Sequence, residues 1–252
     1  MKNYTEINAK TWDLWAENCC EWSVPITHEE YMQVDENNFG VYLTPCITVP
    51  HEWFGDLKGK KILGLASGGG QQMPVFAKLG AQCTVFDYSD RQLGAERMVA
   101  EREKYAIEIV KGDMTKPLPF ETESFDLIFH PVSNCYIEDV YHVWNECYRI
   151  LKKGGRLLAG FSNGLDFLFE GDNPLLVVNP LPFNPLKMEK ERYDAMIANG
   201  EGVQFSHSME EQIGGQLKAG FILKDLYEDR DREGGAKIRE YAPQYMATLA
   251  VK

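Results

Sequence analysis

The sequence predicts an α/β fold built on a doubly wound sheet of seven strands, mostly parallel with a last antiparallel strand. Three observations carry that expectation. Short apolar runs alternate with segments bearing helix start and stop signals, the order that arises when helices cross between parallel strands. The first run, Ile62, Leu63 and Leu65, is apolar on neighbouring residues, as in a strand buried on both faces. Gly68, Gly69 and Gly70 follow it directly, and Asp87 closes the second run about 20 residues after the glycines.

The elements follow in chain order. Residues 1–56 are expected to form a helical cap, in which Ile7, Thr11, Leu14, Trp15 and Asn18 share one helical face with Trp12 beside it. Thr27-His28-Glu29-Glu30 reads as a capping box opening a second short helix, and Pro45 and Pro50 break the chain ahead of the sheet. Trp12, Trp15, Trp22 and Trp53, four of the five tryptophans, lie in this stretch. It either packs on a sheet edge or closes over a ligand; the two roles are compatible.

After the first strand the glycines let the backbone turn and approach a ligand, because no Cβ intervenes. Residues 71–79 suit a helix, with Pro74 in its first turn and Gly80 as its stop. Residues 83–86 make the second strand, and an acid at Asp87 can accept hydrogen bonds from both hydroxyls of a ribose. Ser89-Asp90-Arg91-Gln92 is a second capping box, opening a helix through about Lys104. Residues 107–110 form the third strand, followed by Lys111-Gly112-Asp113-Met114. Residues 127–129 form the fourth, which ends at His130-Pro131-Val132-Ser133-Asn134-Cys135-Tyr136.

A helix is expected over 139–152, with Val140, Val143, Cys147, Ile150 and Leu151 at core spacing. Lys152-Lys153-Gly154-Gly155 reads as its stop, cations in the last turn and then glycines. Residues 156–161 make the fifth strand. Residues 164–205 look inserted: they hold Pro174, Pro180, Pro182 and Pro185 and a polar helix near 187–198. The insertion reads as a lid or substrate lobe, with plain cover for a sheet face as the competing reading. Ser208-Met209-Glu210-Glu211 is a third capping box, and Gly220 stops the helix it opens. Residues 221–227 make the sixth strand, 229–235 a charged loop expected to be solvated, and 245–251 the antiparallel seventh.

The formal charge of -12 disfavours nucleic-acid partners, whose recognition rests on basic patches, and no block rich in Lys and Arg appears. No apolar run reaches membrane-spanning length, and the N-terminal residues lack a signal-peptide apolar segment. The six cysteines include no C-x-x-C pair, so neither a metal site nor a disulfide framework is expected and a reducing cytoplasm fits.

Two readings of the glycine loop compete. For a dinucleotide site the pattern is G-x-G-x-x-G, but a frame from Gly68 meets Met73 at the third position and a frame from Ala66 meets Gln71. The stretch Leu63-Gly64-Leu65-Ala66-Ser67-Gly68-Gly69-Gly70 instead resembles the L-D-L-G-C-G-T-G loop of class I S-adenosylmethionine (SAM) dependent methyltransferases. Leu118-Pro119-Phe120 through Ser124-Phe125-Asp126 and the Lys152–Gly155 stretch are similar to further segments of that family. The resemblance is close over residues 57–163, follows by pattern over 206–252, and sets these two stretches apart as the core. Gly64 stands where the family has an acid that helps to position the amino end of the cofactor's methionine, and Ala66 replaces the first glycine.

The resemblance implies a Rossmann-like core and transfer of a methyl group from SAM to a small-molecule acceptor by in-line displacement. It implies cofactor contacts at Ala66, Ser67, Gly68, Gly69 and Gly70, at Asp87 for the ribose and Tyr88 beside it, at Asp113 and Met114 for the adenine, and at His130 near the methionine. A general base is not required, but His130 and Tyr136 are the best-placed candidates, ahead of His28 and His207. A protein or RNA acceptor, a SAM-binding module without turnover, and an NAD-dependent oxidoreductase remain alternatives.

Overall fold

The computed structural model describes residues 3–171 and 175–252. Pro174 of the expected insertion lies outside the described residues. Seven strands form one sheet: β1 (Lys61–Leu65), β2 (Gln82–Asp87), β3 (Ile107–Lys111), β4 (Phe125–His130), β5 (Leu151–Ser162), β6 (Ile222–Asp229) and β7 (Tyr245–Val251). Their order is β3-β2-β1-β4-β5-β7-β6. From β3 to β5 every pairing is parallel, and β7 slots antiparallel between β5 and β6. The chain winds outward from β1 to β3 and then restarts at β4 on the other side. That reversal opens a crevice at the C-terminal ends of β1 and β4, where ligands bind in sheets of this kind.

Among the described residues seven α-helices accompany the sheet: α1 (Tyr4–Glu17), α2 (His28–Gln33), α3 (Met73–Lys78), α4 (Asp90–Glu103), α5 (Val140–Ile150), α6 (Lys190–Ala198) and α7 (Gly215–Ala219). Successive β1 residues face opposite layers and are fully buried in both. Ile62 packs with Trp53, Phe76, Val85 and Phe129, while Leu63 and Leu65 pack with Phe86, Ile128, Trp144 and Cys147. Each such side chain stabilises the fold by about 1.5–3 kcal/mol.

Several elements differ from the sequence expectation. α3 starts at Met73, with Gln72 as its N-cap, and the side chains of the two glutamines before it tie the turn to the N-terminal stretch. Gln71 Nε2 donates to the carbonyls of Glu21 (3.0 Å) and Val24 (2.8 Å), and Gln72 Oε1 accepts from Tyr42 N (3.1 Å). α5 stops at Ile150, and Lys152-Lys153-Gly154-Gly155 is a bulge within β5 rather than a helix stop. The buried Leu151 already pairs with Phe125, and the register then jumps to Leu127↔Arg156, with Gly154 at φ 74° taking up the surplus residues.

The capping boxes at Thr27 and Ser208 form both arms. At Ser89 the hydroxyl caps Gln92 N (3.1 Å), but the Gln92 side chain does not return the bond and turns toward the glycine loop.

α1 buries a polar face, Thr5, Asn8 and Thr11, while Leu14 of the expected face is 49% exposed. The reason is hydrogen bonding. Asn8 donates to the carbonyls of Tyr136 (3.1 Å) and Val203 (2.9 Å) and accepts from Val203 N (2.7 Å), tying the N-terminal helix to two distant segments. Among the described residues no helix is long and apolar enough to cross a membrane.

Candidate functional site

A cavity of about 1060 Å³ lies over the C-terminal ends of the parallel strands. On the side of β2 and β3 its wall includes Ala66, Ser67, Gly68, Asp87, Tyr88, Asp113 and Met114, seven of the residues singled out in the sequence. Asp87 ends β2. Its carboxylate accepts from Gly68 N (3.0 Å) and Ser89 N (2.9 Å), which fixes its orientation toward the loop. Burial pushes its pKa up, and the backbone amides of Ser89, Gly68 and Tyr88 oppose that shift. Asp113 lies two residues past Lys111, the β3 partner of Asp87, so both acids stand on adjacent strand ends. Thr5 of α1 donates to Asp113 Oδ2 (2.8 Å), and Thr115 donates to Oδ1 through its amide (2.9 Å) and hydroxyl (2.8 Å).

The loop keeps its shape without its first glycine. Ala66 adopts φ 48°, a left-handed conformation that costs an L-residue roughly 1–2 kcal/mol, and its amide is held by Phe86 O (2.8 Å). Gly69 and Gly70 lie outside the cavity wall and serve packing instead. Gly69 N donates to Gln92 O (3.0 Å) and Gly70 N to the buried Glu96 (2.7 Å), and a Cβ on Gly70 would sit 2.8 Å from Val99. At Gly64 an added Cβ would lie 2.7 Å from Met73 Sδ, so the thioether of Met73 fills the space a longer side chain would need.

Two buried polar atoms in this part of the wall, Ser67 Oγ and Gln92 Oε1, have no protein partner. Such groups are costly unless something else bonds them.

The histidines are placed differently from the sequence expectation. His130 is fully buried and outside the cavity wall: Nδ1 meets Leu65 O (2.9 Å), Nε2 meets Asn134 Oδ1 (2.8 Å), and Trp144 packs edge-on. Desolvation lowers its pKa, and the bonds to Leu65 and Asn134 only partly offset that. It therefore serves as a buried strut under the site and does not line the cavity. His207 is also buried, with Nε2 donating to Asn134 O and Ile137 O (3.0 Å each). His28 pairs with Glu103 away from the cavity. Tyr136 does line it, edge-on to Trp12 at 5.6 Å, and burial holds its phenol proton well above the usual range. At neutral pH it offers an O–H donor rather than a base.

The side over β4, β5 and β6 is walled by residues from far apart in the chain: Trp22, Thr44, Asp166, Phe167, Phe183 and Tyr245. The 229–235 loop is built into the structure rather than simply solvated. Asp229 is buried and accepts from Cys46 N (2.8 Å) and Ile47 N (3.0 Å), while Asp231, Arg232 and Glu233 line the cavity. The available signal was positional: a glycine-bearing loop leaving the C-terminal end of a strand parallel to the others faces the ligand side of such a sheet.

Comparison with known proteins agrees with this architecture. The model of a family described as a methyltransferase domain matches residues 63–159. An uncharacterized methyltransferase of Bacillus subtilis, YbaJ, is 43% identical over 250 residues, spanning 97% of each chain. A ubiquinone/menaquinone biosynthesis C-methyltransferase of Cereibacter sphaeroides is 33% identical over 112 residues, 43% of this chain and 44% of its own. Among solved structures, a SAM-dependent methyltransferase from Mesorhizobium loti superposes with a TM-score of 0.61 at 19% identity, covering 80% of this chain and 94% of its own.

Proposed function

This chain belongs to the methyltransferase family, and from that premise we propose that it moves a methyl group from SAM to a small-molecule acceptor held over the ends of β4 and β5. The observation that carries the reading is the pair of acids, Asp87 and Asp113, on adjacent strand ends in one cavity wall. A carboxylate beside the glycine loop suits two ribose hydroxyls. A second on the next strand, with Met114 beside it, suits the amino group and the ring of an adenine.

SAM supplies a methyl group already activated on a sulfonium. The chain's own task is to hold an acceptor in line with it and to keep water out, and such positioning supplies about 7–11 kcal/mol of barrier reduction. No histidine among the described residues lines the cavity, and Tyr136 and Tyr245 are protonated at neutral pH, with burial pushing their pKa further up. In this reading they orient the acceptor as hydrogen-bond donors. We assign α1 and the 164–205 insertion as covers, since Thr5, Asn8 and Trp12 of the one and Phe167, Phe183 and Arg192 of the other reach the same cavity. A cavity at the upper end of the small-molecule range, with Glu21, Asp166, Glu170, Asp231 and Glu233 on its wall, favours a small acceptor over nucleic acid. The six free thiols accord with a reducing cytoplasm.

The test is calorimetry followed by turnover. SAM is expected to bind, and Asp87→Ala to weaken it at least about tenfold, roughly 1.4 kcal/mol. Labelled SAM incubated with a panel of amines, phenols and carbon acids should then mark one class. Absence of SAM binding, or a preference for NADH, would reject the reading.

A further inference from the structure

Resting on that reading, the position of the cofactor's amino-acid end follows from the sheet. Adenine at the end of β3 and ribose at the end of β2 are about 4.8 Å apart in the strand-to-strand direction, and the next strand is β1. The amino-acid end therefore lies over the loop after β1. In this chain β1 offers it no acid: position 64 is glycine, and Met73 Sδ fills the adjoining space.

A charged pair is strapped to that same loop from outside the sheet. Gln71 Nε2 holds the carbonyls of Glu21 and Val24, and Ile26 N donates to Gly70 O (2.9 Å). The Trp22 carbonyl lies 3.6 Å from the point where a Gly69 Cβ would stand. The Glu21 carboxylate pairs with the Arg232 guanidinium, which lies over the Trp22 ring at 4.3 Å and donates from Nε to Pro45 O (3.1 Å). Glu21, Trp22 and Arg232 all line the cavity, and the two charged side chains remain 55% and 43% exposed.

A carboxylate and a guanidinium side by side match an ammonium and a carboxylate carried on one carbon. Arginine presents its donors in a rigid fork suited to a carboxylate. The Trp22 ring and the Pro45 carbonyl hold that fork in place, which lowers the ordering cost of binding. We propose that the Glu21–Arg232 pair receives the α-amino-acid end of the cofactor, taking the place of the acid absent at Gly64.

Two ligands that differ only in that end test the proposal by calorimetry: S-adenosylhomocysteine, and 5′-methylthioadenosine, which lacks the amino-acid group. Arg232→Met keeps an apolar stem over Trp22, and Glu21→Gln keeps size and shape. Each is expected to weaken S-adenosylhomocysteine about tenfold while leaving 5′-methylthioadenosine within about twofold, which also shows that the variant is folded. Equal loss of both ligands would make the pair a structural latch and overturn the proposal. Unchanged affinity for S-adenosylhomocysteine would overturn it too. If the unmodified protein binds neither ligand, the adenosyl reading falls and the proposal with it; if it binds both equally well, only the proposal falls.

Discussion

On the side of β2 and β3 the cavity wall is made by residues that end strands or follow them directly: Asp87, Tyr88, Asp113 and Met114. On the side of β4, β5 and β6, Pro131, Ser162 and Tyr245 still stand at or beside strand ends, but much of the wall is brought in from distant stretches, around residues 22, 44, 166, 183 and 232. The first wall inherits its backbone positions from the spacing of parallel strands, and apart from the Thr5 hydroxyl its two carboxylates are held by groups no more than 19 residues from them, the amides of Gly68 and Ser89 and the amide and hydroxyl of Thr115. The second depends on side-chain ties such as Asp229 to the amides of Cys46 and Ile47, and Arg232 to Pro45 O. A wall of the first kind suits the constant part of a reaction, the cofactor. The second kind can be rebuilt for each acceptor.

If the β2–β3 wall is rigid because the sheet and α4 dictate it, the largest effect should come from Glu96, a buried acid beneath it. Glu96 is fully buried, bonds Gly70 N at 2.7 Å, and burial pushes its pKa up to about 8. In the folded protein it keeps its proton up to that pH, whereas the unfolded chain releases it near pH 4.5. The unfolded state thus holds fewer protons in this window, and stability falls as pH rises from about 4.5 to about 8, by about 1.4 kcal/mol per pH unit from this group. Below the window its full contribution is present. Glu96→Gln keeps the acceptor for Gly70 N and should flatten this slope in urea titrations between pH 5 and 9. An unchanged slope would place the pH dependence elsewhere.

The tie between the two walls comes next. Asn8 joins α1 to Tyr136 and to the end of the insertion, and Asn8→Ala strands the buried amide and carbonyl of Val203. A loss of about 2–3 kcal/mol in denaturant titrations is expected. Faster hydrogen exchange should then appear in residues 3–17 and 199–206 and not in β2 or β3. Equal loosening of both walls would break the comparison. The smallest effect belongs to Ala66→Gly. Removing the Cβ relieves the left-handed strain but adds unfolded-state freedom, so stability should rise by no more than about 1 kcal/mol, with cofactor affinity within about twofold.

What could be read from the sequence follows the same division. Ile62, Leu63 and Leu65 announce a strand buried on both faces, and Asp87 and Asp113 follow such strands at positions any parallel sheet would turn toward the crevice. His130 ends a strand too, yet its ring goes into the core beneath the site. β4 is buried along nearly its whole length, so it carries no polar–apolar alternation to reveal which way its last residue points. Lys152-Lys153-Gly154-Gly155 has the composition of a helix stop and equally of a bulge. Only the pairing of Leu151 with Phe125, a contact distant in sequence, decides between them. The polar face of α1 and the anchoring of the 229–235 loop are not legible locally because their partners, Val203 and Cys46, lie 195 and 183 residues away.

A crystal structure of the protein with S-adenosylhomocysteine tests the central claim most directly. The account predicts the ribose hydroxyls on the Asp87 carboxylate, the adenine between Asp113 and Met114, and the sulfur facing the aromatic wall over β4 and β5. An adenosyl group that avoids both acids, or a cavity that takes up a nicotinamide dinucleotide instead, would contradict it.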